Sequence, residues 1–80
     1  MRKRHRLRRR YGRSGADPDY ILMYGGGATS LPFVLLDMAI DEARALSKPG
    51  SYGGEVFVVE RRGPHTRELG VARNGRYVKA

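Results

Sequence analysis

The chain has 80 residues, no cysteine and a formal net charge of +8, with 16 Lys and Arg against 8 Asp and Glu. Eighty residues allow one domain at most, and the missing cysteines exclude a disulfide framework, a thiolate metal site and a cysteine nucleophile. The charge is uneven: residues 1–13 carry eight bases and no acid, so the remainder balances eight bases against eight acids.

The opening "MRKRHRLRRRYGR" is therefore a basic arm on a neutral body. Its like charges repel, so residues 2–13 are expected to stay disordered until something neutralises them. Guanidinium forks match phosphate oxygens. This makes Arg2, Lys3, Arg4, Arg6, Arg8, Arg9, Arg10 and Arg13 candidate nucleic-acid contacts, with Tyr11 placed to stack on a base. No base-reading motif is present, so the expected binding is largely sequence-independent and does not distinguish DNA from RNA. In composition the arm resembles the arginine-rich arms of viral packaging proteins, ribosomal proteins and small chromosomal proteins. A localisation signal, a solubilising tail or an anionic-membrane anchor would use the same composition.

"YGRSGADPD" follows, rich in Gly, Ser, Asp and Pro and without periodicity, so residues 1–19 form arm and linker and residues 20–80 the domain. The uncharged stretch from Tyr20 to Leu36 is interrupted by three glycines and Pro32, which argues against a signal peptide or a membrane span. A transit peptide is disfavoured too, with Leu7 the lone apolar candidate for an amphipathic face. These features, with the absence of cysteine, predict a cytoplasmic or nucleic-acid-associated protein that is neither secreted nor membrane-bound.

"DYILMYG" predicts a first strand over residues 19–24. "GGGATS" reads as a turn. It lacks the Lys of a phosphate-binding loop, and Ser30 stands where a dinucleotide fingerprint needs glycine. The spacing of Phe33, Leu36, Ala39, Ile40, Ala43 and Leu46 predicts a helix from 30 or 31 to 48, capped by Ser30 or Thr29 and stopped by "KPGSYGG". "EVFVVER" predicts a strand over residues 55–61 and "TRELGVAR" another over 66–73. Asn74–Gly75 predicts a type I′ turn that returns the chain over 76–79. The fold class is α+β, a β-α-β-β-β domain with one helix on a mainly antiparallel sheet.

One helix covers one sheet face. Alternation offers an aliphatic set (Ile21, Met23, Val56, Val58, Leu69, Val71, Val78) for that face. It leaves Tyr20, Tyr24, Phe57 and Tyr77 as a possible aromatic face for stacking bases, for a second copy or for a protein partner. Arg73, Arg76 and Lys79 form a secondary basic hairpin, and Arg61, Arg62 and Arg67 add positive charge offset by Glu55, Glu60 and Glu68. His65 has only His5 as a fellow imidazole, too few for a metal site. Asp37, Asp41 and Glu42 read as a solvated helix stripe rather than an acid–base pair. No cofactor, metal or catalytic residue is expected. Two functions remain: a non-enzymatic nucleic-acid-binding protein, or a protein–protein adaptor whose arm serves localisation or solubility.

Overall fold

The computed structural model describes residues 17–80, so every nucleic-acid contact expected in the arm, from Arg2 to Arg13 and including Tyr11, lies outside the described residues. The body is β1 (Asp19–Tyr24), α1 (Leu36–Leu46), β2 (Val56–Arg62), β3 (His65–Arg73) and β4 (Arg76–Lys79). The four strands form one antiparallel sheet in the order β1-β2-β3-β4. This is the α+β class that the element order predicts, with one helix on an antiparallel sheet. Asn74 and Gly75 take positive φ of 53° and 83°, as a type I′ turn requires, and Arg73 faces Arg76, Ala72 faces Tyr77 and Val71 faces Val78.

The helix begins later than its apolar spacing predicts, at Leu36 rather than 30 or 31. The cause is competition for backbone hydrogen bonds. Residues 24–28 turn tightly, and the chain runs back along the outer edge of β1. Tyr20 and Phe33 exchange both backbone bonds, at 2.9 and 2.7 Å, and the Ser30 N–H donates to the Leu22 carbonyl at 2.9 Å. Ser30 is therefore no helix cap. Its Oγ accepts the Leu22 N–H at 2.9 Å and donates to the Leu31 carbonyl at 2.8 Å. Phe33 still packs against the core, but from extended chain. The glycines lead into this return strand and not into a helix N-terminus, so they form no phosphate loop.

Ala39 and Ala43 let α1 lie close on the sheet. They are fully buried with Leu22, Val56, Val58 and Ala72. This corrects the face assignment. In β1 the helix side carries Tyr20, Leu22 and Tyr24, while Ile21 and Met23 sit on the open face opposite Val59 and Phe57. In β3 and β4 the helix side carries Ala72 and Tyr77, while Val71 and Val78 face away. Two physical facts mislead the alternation. β1 is apolar on both faces, so its period marks no inside. A bulge between Val58 and Val59 leaves Leu69 as an extra residue between Gly70 and Glu68, and it packs on the helix side without bringing Val71 with it.

Candidate nucleic-acid interface

The helix and sheet divide the body's charges between two ends. At one end β1 begins, β2 finishes and β3 starts, so the chain arriving from the arm joins the sheet beside Arg61, which faces Asp19. Arg61 grips Asp19 as a fork, Nε to Oδ1 at 3.0 Å and Nη2 to Oδ2 at 2.8 Å. The hydrogen bond to Asp19, with its charge attraction, outweighs the loss from burial and raises the guanidinium pKa above its ordinary value. Beside it, Glu60 draws in two more bases, Arg67 at 3.2 Å and Arg62 at 3.6 Å. Gly63, with φ +59°, and Pro64 turn the chain between β2 and β3. Arg62, His65, Thr66, Arg67 and Glu60 line an open groove of about 530 Å³ at this hairpin.

The other end holds the Asn74–Gly75 turn, where the secondary basic hairpin is predicted. The structure brings Arg73 and Arg76 opposite one another but does not bring Lys79 to them. Lys79 lies on the other face, beside Leu36, Ile40, Leu69 and Tyr77. Arg73 pairs with Glu55 through its Nε. The turn itself is docked on the C-terminus of α1: Gly75 N–H donates to Ser47 Oγ at 2.8 Å, and Arg44 Nε donates to the Gly75 carbonyl at 3.2 Å. Ser47 is fully buried and passes its own proton to the Arg44 carbonyl at 2.9 Å. Arg44, in the last turn of α1, also places its charge at the carbonyl-rich end of the helix, which favours cations.

The four predicted platform aromatics do not share a face. Tyr20, Tyr24 and Tyr77 pack against the core on the helix side, and Phe57 stands on the opposite face with Met23, Val59 and Val71. Tyr24 stacks on Tyr52, ring centroids 5.2 Å apart, and the Tyr52 hydroxyl accepts the Gly25 N–H at 2.9 Å. The aromatics thus close the hydrophobic layer, and no aromatic platform is assembled. What the sequence does not single out is the "RRGPHTR" hairpin. Its available signal is a Gly-Pro turn with arginines on both sides.

Among the described residues no group of three His, Cys, Asp or Glu side chains is placed to hold a metal ion, and no helix is long and apolar enough to cross a membrane. No protein family, curated protein or solved structure gives a significant match to this chain.

Proposed function

We propose that this chain is a small non-enzymatic nucleic-acid-binding protein whose arginine-rich arm grips phosphates with little regard to base sequence, in a packaging, coating or ribonucleoprotein role. The observation that carries this reading is the partition of charge. Arg61, Arg62, Arg67 and Arg73 of the body are each met by a carboxylate, from Asp19, Glu60 or Glu55. The surplus of +8 belongs to residues 1–13. An arm with eight bases that neutralises about six phosphates gives log affinity a slope near −5 against log salt on duplex DNA.

The test compares the full chain with a full-length variant in which the arm arginines are glutamines, titrating labelled DNA and RNA against salt. Steep salt dependence lost in the variant supports the reading. Equal binding by both chains removes it. A second reading, an adaptor that binds protein, is favoured by the sheet face turned away from the helix, where Ile21, Met23 and Phe57 are partly exposed and Val78 is 56% exposed. Its test is concentration-dependent association that survives loss of the arm charges.

A further inference from the structure

The β2–β3 hairpin lies at the end of the sheet where the arm is rooted, and the Asn74–Gly75 hairpin lies at the opposite end. Resting on the nucleic-acid reading above, we propose that the β2–β3 hairpin is a second phosphate-binding site, formed by Arg62, His65, Thr66 and Arg67 and engaged by the same polymer that the arm grips.

Placement is the first argument. Asp19 faces Arg61, and Arg13, the last base of the arm, is six residues before Asp19 in the chain. Six residues span at most about 20 Å. A polymer held by the arm is therefore within reach of Arg62 and Arg67. Among the described residues no other strand covers the hairpin tip. β4 pairs with β3 only from Gly70 onward, and His65, Thr66 and Arg67 are all exposed.

Exposed positive charge is the second. Glu60 keeps only 15% of its side chain exposed, whereas Arg62 and Arg67 keep 48% and 71%. The half-buried carboxylate lies between two guanidinium groups that stay exposed. Two guanidiniums against one carboxylate leave one unit of positive charge in the groove, and together they carry more N–H donors than two carboxylate oxygens accept. The His65 imidazole and the Thr66 hydroxyl add polar groups along the same groove. A phosphate oxygen arriving here meets exposed guanidinium donors on both sides of the hairpin.

Contrast is the third. At the far hairpin the turn amide and carbonyl are already taken by Ser47 and Arg44, and Arg73 by Glu55. The tip and Arg73 of the basic hairpin expected from sequence are thus held by the body, whereas Arg62 and Arg67 stay 48% and 71% exposed.

The experiment uses the full chain with a labelled 20-base-pair DNA duplex and the RNA duplex of the same sequence, titrated from about 50 to about 300 mM salt. Arg62→Gln with Arg67→Gln is expected to flatten the log–log slope by about 1 to 2 on DNA, whereas Arg73→Gln, which removes a guanidinium already paired with Glu55, leaves it unchanged. Glu60→Gln removes the competing carboxylate and is expected to tighten binding, an outcome that a merely misfolded variant does not produce. An unchanged slope in the Arg62/Arg67 variant, while the full chain still binds, overturns the second site and leaves the arm reading intact. Failure of the full chain to bind either duplex at low salt overturns both.

Discussion

The hydroxyl of Ser47 accepts the amide proton of Gly75, at 2.8 Å, across 28 residues of chain. It joins the last turn of the helix to the tip of the β3–β4 hairpin, and it does so from a fully buried position. Truncation to Ser47→Ala leaves that amide without its partner. The expected cost is about 1–3 kcal/mol, read as a lowered denaturation midpoint. Retained stability would show that the tip finds water or another acceptor.

Gly70 has no room for a side chain. A Cβ there would stand 2.5 Å from the Tyr77 ring and from the Val78 carbonyl oxygen. Because a backbone atom is among the obstacles, the ring cannot relieve the clash by turning aside. Gly70→Ala should destabilise the fold by about 1–3 kcal/mol, and Tyr77→Ala introduced alongside should not restore it. Thermal unfolding of the two variants checks this.

The assignment of faces predicts unequal costs for neighbouring residues. Leu22 is fully buried and Ile21 only partly. Leu22→Ala should cost about 2–5 kcal/mol, and Ile21→Ala clearly less. The reverse order in urea denaturation would mean that the helix packs on the other side of β1.

Tyr77 supplies a pH dependence whose sign follows from burial. Desolvation raises its phenol pKa above the ordinary value, so the folded state holds the proton more tightly than the unfolded chain does. The associated stability is complete below about pH 10, the unfolded value, and is lost as pH rises through the higher folded value. Tyr77→Phe should therefore lose less stability than the parent chain between pH 9 and about 12. Parallel alkaline slopes for the two chains would remove Tyr77 as the source.

The strands and the type I′ turn were legible because their signals are local. Asn74–Gly75 needs only its own φ angles, and the registers it sets follow by counting. The helix start was not legible. Ser30 and the spacing of Phe33 with Leu36 describe a good helix opening, and only the long-range pairing of residues 28–33 with β1 overrules it. The arm could be read from charge alone. The groove at Arg62 and Arg67 could not, because Glu60 and Glu68 cancel those arginines in any linear count. It takes the strand register to set Glu60 between them, and the topology to set the hairpin beside the arm.

If the proposed function holds and many copies are drawn onto one polymer, the treatment of the sheet edges matters. Gathered there, they would meet at local concentrations far above those in bulk, where any exposed strand is a template for the next. Residues 28–33 occupy the backbone groups along the outside of β1, and the opposite border is a strand of four residues that begins at Arg76 and finishes at Lys79. Short, charged borders of this kind discourage strands of separate molecules from zipping together. A coat of such bodies could grow dense along its polymer and still come apart into single molecules when salt releases the arms.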